Sequence, residues 1–84
     1  MDLTNKTAIV TGGTRGIGRA IAKALVSAGV KVAITARNED DIASAVSELN
    51  AKGYRCDVRD YEQVKSVFAR IAQDLGGVDI RLFE

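Results

Sequence analysis

The sequence predicts an α/β domain: a doubly wound, three-layer parallel sheet of four strands in the order 3-2-1-4, with helices on both faces. Three observations predict it. Short β-branched runs alternate with longer stretches whose apolar residues recur every three or four positions. The alternation reads strand, helix, strand, helix, strand, helix, strand, and glycines or polar caps punctuate each change. A helical crossover returns the chain to the same edge of the sheet with a right-handed connection, so the strands pair in parallel. With the first strand central, the winding reverses between the first and fourth strands, and a crevice opens there.

Residues 6–11, KTAIVT, are a continuous apolar run of the kind found in a strand covered on both faces. Ile17, Ala20, Ile21, Ala24, Leu25 and Ala28 follow as a helical stripe that Gly29 stops. Residues 30–35 are strand again. Asn38 or the acids Glu39, Asp40 and Asp41 open a second helix through Ile42, Val46 and Leu49, with negative charge at its positive end, and Gly53 closes it. Residues 54–58 make a short third strand. Asp60 caps a third helix whose apolar set is Val64, Val67, Phe68, Ile71, Ala72 and Leu75, ended by Gly76 and Gly77. Residues 78–83 start a fourth strand, in which Arg81 is an odd occupant for a buried position.

Composition narrows the function. The 84 residues are 46% hydrophobic and 27% charged, as in a single small globular domain. A net charge of +1 from 12 basic and 11 acidic residues, with no block of either sign, argues against nucleic acid and against anionic membranes as partners. No apolar run nears the ~18 residues of a membrane span. Residues 1–6 lack the basic-then-apolar order of a secretion signal, so a cytoplasmic location is expected. With no histidine, neither a histidine-based triad nor a zinc site is expected. The single cysteine, Cys56, reads as a small apolar filler in a strand, having no base to activate it.

Residues 11–18, TGGTRGIG, lie between the first strand and the first helix, beside the crevice. Gly12 lets the chain turn out of the strand, Gly16 lets backbone approach a ligand, and Gly18 lets the helix pack close to the sheet. A helix N-terminus offers unpaired N–H groups and partial positive charge, which suit a pyrophosphate. No Gly-Lys-Ser/Thr ending follows to grip a terminal phosphate, so a dinucleotide is the expected ligand. After the second strand stands Arg37, where an Asp or Glu would favour NAD and an arginine favours the 2′-phosphate of NADP. Arg15 could reach the same phosphate, and each arginine also reads as a solvated surface residue.

The spacing T-G-x-x-x-G-x-G resembles the cofactor loop of the short-chain dehydrogenases/reductases. CDV at residues 56–58 resembles the segment that family places against the adenine ring, and GGVDI at residues 76–80 resembles its approach to the fourth strand. The resemblance covers residues 6–80 and is similar to the β-ketoacyl-carrier-protein reductase branch. It implies a Rossmann-like fold, NADP(H) as cofactor, and a parent oxidoreductase that reduces a carbonyl, such as that of a 3-oxoacyl thioester. The candidate cofactor-binding residues are Gly12, Thr14, Arg15, Gly16, Ile17 and Gly18 in the loop, Arg37 and Asn38 after the second strand, and Asp57 and Val58 after the third. Asp57 also reads as a cap or turn residue. None is assigned to catalysis or to a metal.

The family's Asn-Asn-Ala-Gly segment, serine and Tyr-x-x-x-Lys pair do not occur in the family's places here. Tyr61 and Lys65 have the last spacing by chance, at the start of the third helix. Residues 1–84 are therefore expected to be a single truncated NADP-binding domain, inactive alone, with Arg81 to Glu84 reading as a frameshift, a cloning tail or a deliberate truncation. A freestanding nucleotide-binding or assembly module is the alternative. A methyltransferase would want an acid at Arg37. The chain is also expected to form a homo-oligomer, because one helix leaves the second sheet face half bare and the fourth strand presents an unpaired edge.

Overall fold

Where β-branched residues crowd together the backbone is extended and buried, and where apolar residues recur at helical spacing it coils. The computed structural model describes residues 3–82. In order, the elements are β1 (Thr7–Thr11), α1 (Gly16–Ser27), β2 (Lys31–Ala36), α2 (Glu39–Leu49), β3 (Lys52–Arg55), α3 (Tyr61–Leu75) and β4 (Ile80–Leu82). The four strands are parallel in the order β3-β2-β1-β4, as the sequence predicts.

Register divides the core into two layers. Ala8 pairs with Val32 and Val10 with Ile34, and these side chains meet Ala22 of α1 and Ala45 and Leu49 of α2. Ile9 pairs with Ala33 on the opposite face, against Ile71 and Leu75 of α3. All five residues of β1 are buried, which is why its run shows no polar alternation.

The second face is less bare than the sequence suggests. Ile9 and Ala33 are 1% and 0% exposed, so the single helix α3 covers both central strands. At 15 residues α3 is long enough, about 22 Å, to lie across them. Tyr54 of β3 extends the cover, its hydroxyl donating to Asp74 Oδ2 at 2.6 Å. Only β4 escapes: Arg81 pairs with Ile9, so it lies on the α3 face, and it is exposed. Exposure resolves the oddity of a charge in this strand. The association expected from a bare face now rests on the β4 edge alone.

The boundaries around β3 move most. The α2 helix stops at Leu49, where Asn50 takes the left-handed conformation (φ 58°, ψ 41°) that asparagine tolerates, and not at Gly53. Gly53 lies inside β3, and a Cβ there would collide with Cγ2 of Ile42 and of Val46, so its glycine serves close helix-to-strand packing. Because β3 ends at Arg55, Cys56 sits just beyond it, 1% exposed, its N–H donating to the Ala36 carbonyl at 2.8 Å. On α1 the buried residues are Gly18 and Ala22; Ile17, Ala20, Ala24 and Ala28 of the predicted stripe are exposed. Phe83, assigned to the fourth strand from sequence, lies outside the described residues.

A polar clasp sets the approach to β4. Thr7 donates its backbone N–H to Asp79 Oδ2 at 2.9 Å and its hydroxyl to the Gly77 carbonyl at 2.8 Å, while Asp79 N–H donates to the Thr7 carbonyl at 3.0 Å. These bonds tie the base of β1 to the segment after α3.

Candidate functional site

The glycine loop is built by two different constraints. Gly12 leaves β1 at φ 70°, while its N–H donates to the Thr35 carbonyl at 2.8 Å and so extends the β1–β2 pairing by one step. Gly13 is closed in: a Cβ would lie 2.7 Å from Ile34 Cγ2 and 3.2 Å from the Val10 carbonyl oxygen. Gly16 is the opposite case. At φ 55° it has nothing within 4 Å of where a Cβ would stand, so backbone at the start of α1 faces open space.

The three helices end differently at their N-termini. Asn38 Oδ1 accepts from the N–H groups of Asp40 (2.8 Å) and Asp41 (3.1 Å) to cap α2, and Asp60 Oδ1 accepts from Gln63 N–H (3.2 Å) to cap α3. Arg15 stands at the N-cap of α1 in extended conformation and makes no side-chain cap bond, and the first turn carries no acid. Helix geometry leaves the first N–H groups of α1 without intrahelical partners, at the positive end of its dipole. Arg19 steadies the loop from behind: its Nη1 donates to the Thr14 carbonyl at 3.0 Å and its Nη2 pairs with Glu48 of α2 at 2.5 Å.

A cleft of about 570 Å³ opens here, with Gly12, Thr14 and Arg15 on one side and Ala36, Arg37, Asn38 and Asp41 on the other. Five sequence-predicted residues therefore meet: Gly12, Thr14, Arg15, Arg37 and Asn38. Gly16, Ile17 and Gly18 form the first turn of α1 beside it, Ile17 72% exposed and Gly18 buried. Asp57 and Val58 do not line the cleft. The Asp57 carboxylate is held by Arg59 through the backbone N–H (3.0 Å), Nε (3.1 Å) and Nη2 (3.0 Å), and its own N–H donates to the Gln63 side chain. Those bonds from Arg59 push its pKa down to about 2. Val58 is exposed.

The two cleft arginines are in different states. The Arg15 guanidinium donates from Nη2 to Asp41 Oδ2 at 2.7 Å. The Arg37 guanidinium makes no hydrogen bond or ion pair among the described residues; only its backbone carbonyl is used, accepting from Arg55 Nε at 3.2 Å. Tyr61 and Lys65 are exposed on the first turns of α3 and stand outside the cleft. Sequence reasoning missed Gly13, Arg19 and Asp41. Gly13 was visible as the second glycine of TGG, but its contact is with a residue 21 positions on; the partners of Arg19 and Asp41 lie 29 and 26 positions away, where no local pattern reaches.

Residues 6–82 match the family described as short chain dehydrogenase. The chain belongs to the short-chain dehydrogenases. It is 42% identical over 83 residues to a short chain dehydrogenase of Pseudocercospora fijiensis, covering 93% of this chain and 27% of that protein. It is 43% identical over 83 residues to the 3-oxoacyl-acyl-carrier-protein reductase FabG of Escherichia coli (strain K12), covering 95% of this chain and 34% of the reductase. Among solved structures, a dehydrogenase/reductase from Sinorhizobium meliloti 1021 superposes with a TM-score of 0.93 at 40% identity, covering 99% of this chain and 35% of that one. This short-chain dehydrogenase sequence thus spans between 27% and 35% of the length of these relatives.

The lowered pKa values of two carboxylates are expected to make the fold of this short-chain dehydrogenase less stable in acid. The Thr7 N–H and hydroxyl hold the Asp79 carboxylate below its usual range, as Arg59 holds Asp57. A carboxylate whose pKa is lower in the folded chain stabilises the fold above its unfolded pKa of ~3.9, and that contribution is lost as pH falls toward the folded value. The urea midpoint is expected to fall between roughly pH 5 and pH 2, and less steeply in Asp79→Asn. Equal slopes in the two proteins would show that the Thr7 clasp is not responsible.

Proposed function

We propose that these residues bind the adenosine and pyrophosphate part of a nicotinamide dinucleotide, preferring NADP(H), as the cofactor-binding segment of a carbonyl-reducing oxidoreductase. One observation carries the reading: an uncapped helix N-terminus opens into a cleft whose far wall presents Arg37, its guanidinium without a hydrogen bond or ion pair among the described residues. The fit to the cofactor is chemical. Backbone N–H groups of Gly16, Ile17 and Gly18 are donors suited to a pyrophosphate, and the missing Cβ of Gly16 leaves room for it. Arg37 offers a planar fork for a ribose 2′-phosphate, with Arg15 across the cleft. Asn38 gives its Oδ1 to α2, so its side chain keeps the amide NH₂ for ligand. Asp57 and Val58, beyond the cleft after β3, are proposed to flank the adenine.

When bound, the cofactor supplies hydride to the substrate carbonyl. The reductase relative suggests a 3-oxoacyl thioester as that substrate, and the proton donor is proposed to lie outside these 84 residues. Titration calorimetry with NADPH and NADH tests the reading: NADPH is expected to bind more tightly. Equal affinities would remove the NADP assignment, and no binding of either would leave a folding module in its place.

A further inference from the structure

Arg15 and Arg37 face one cleft, yet only one of them is already engaged. The Arg15 side chain, 77% exposed, is tied through Nη2 to Asp41 Oδ2 at 2.7 Å, and the Asp41 side chain is 30% exposed. Three acids occupy the first turn of α2, and of these Asp41 alone lines the cleft, while Glu39 and Asp40 are exposed to solvent. Asn38 fixes that turn by accepting the Asp41 N–H at 3.1 Å, so the carboxylate projects from a capped, ordered helix start. The cleft therefore holds two guanidiniums and one carboxylate.

We infer that Asp41 is a specificity-determining residue: it sets how strongly the cleft distinguishes a 2′-phosphorylated ribose from a ribose with a free 2′-hydroxyl. The inference rests on the dinucleotide reading above and deepens it. A 2′-phosphate brings a charge of about −1.5 to −2, and it must either take Arg15 away from Asp41 or sit beside an ionised carboxylate. An exposed ion pair of this kind is weak enough for a ligand to break, but the carboxylate stays in the cleft once released. A free 2′-hydroxyl meets the reverse situation, because an ionised carboxylate is an acceptor for its O–H. Asp41 thus opposes the phosphate and favours the hydroxyl, and it limits the preference that Arg37 creates.

The opposite sign has a physical meaning too. If Asp41 served to hold Arg15 ready for the phosphate, its removal would weaken phosphate binding. The test is calorimetric titration of the 84-residue chain with 2′,5′-ADP and with ADP, for the unaltered chain, Asp41→Asn, Asp41→Glu and Arg37→Ala. Asp41→Asn is expected to bind 2′,5′-ADP about three- to tenfold more tightly. ADP should bind it no better than before, and Asp41→Glu, which keeps the charge, should stay near the unaltered chain. Raising the salt concentration should narrow the gap between Asn and Asp, since screening weakens an exposed repulsion. If the unaltered chain prefers 2′,5′-ADP through Arg37 but Asp41→Asn is unchanged or weaker, the role of Asp41 is overturned while the NADP reading stands. An Asp41→Glu variant as tight as Asp41→Asn would also overturn it, by showing that side-chain placement and not charge is at work. If the unaltered chain does not distinguish the two ligands and Arg37→Ala changes neither, the NADP reading fails and takes this inference with it.

Discussion

Replacing Arg37 with alanine is expected to remove most of the difference in affinity between NADPH and NADH, costing NADPH about 1.5–3 kcal/mol and leaving NADH nearly unchanged. The asymmetry follows from where the charge is. Arg37 follows β2, exposed, with no hydrogen bond or ion pair on its guanidinium among the described residues, so no protein partner is left stranded when it is removed. Its charge also acts on the nearby Asp57 carboxylate, so a loss common to both cofactors reports that effect and the difference between them reports the phosphate contact. Arg37→Lys keeps the charge without the planar fork, so it should recover part of the preference. Calorimetric titration of both cofactors checks this, and an equal loss for NADPH and NADH would place Arg37 away from the 2′ position.

Gly13→Ala is expected to lower stability by about 1–3 kcal/mol, the usual cost of forcing a methyl group into a packed core. Its Cβ would stand 2.7 Å from Cγ2 and 3.1 Å from Cβ of Ile34, and 3.2 Å from the Val10 carbonyl oxygen. Ile34 is 0% exposed, wedged in the layer beneath α1 and α2, and the carbonyl belongs to β1 itself. Neither neighbour has room to give way. For a domain whose total stability is of order 5–15 kcal/mol, this is a large fraction. Gly16→Ala provides the contrast, since it meets no atom within 4 Å and pays only for its positive φ. Urea unfolding separates the two: a Gly13→Ala midpoint equal to that of the unaltered chain would contradict the close contact with Ile34.

The sheet order was legible because it depends on local signals that add up. Runs such as AIV and VAI declare buried parallel strands, three helical stripes separate them, and handedness then leaves one arrangement. Boundaries were less legible where one residue type serves two purposes. Gly53 looks like a helix stop, whereas its lack of a side chain is needed against Ile42 and Val46, and Asn50 performs the stop. The stripe on α1 looked like a core face, yet alanine is both apolar and a good helix former, so Ala20 and Ala24 carried no reliable signal of burial.

The site divides in the same way. The positions of Gly12, Gly16 and Arg37 in or beside the cleft are legible in the sequence because a turn, an open helix start and the residue after the second strand are places in a local pattern. Asp41 and Arg19 could not, since each acts through a partner brought near only by folding. Even the capping of α2 was open between Asn38 and the acids that follow it, and the geometry gives the role to Asn38.

Whether the start of α1 and the end of β2 form one dinucleotide site can be read from the backbone amide resonances of the chain during titration with NADPH. The largest shifts are expected to cluster at Gly12 to Gly18 and at Arg37 and Asn38, with saturation at lower concentration for NADPH than for NADH. Shifts confined to other surfaces, such as the β4 edge or the β3 side of the sheet, or no saturable shifts at all, would contradict such a site.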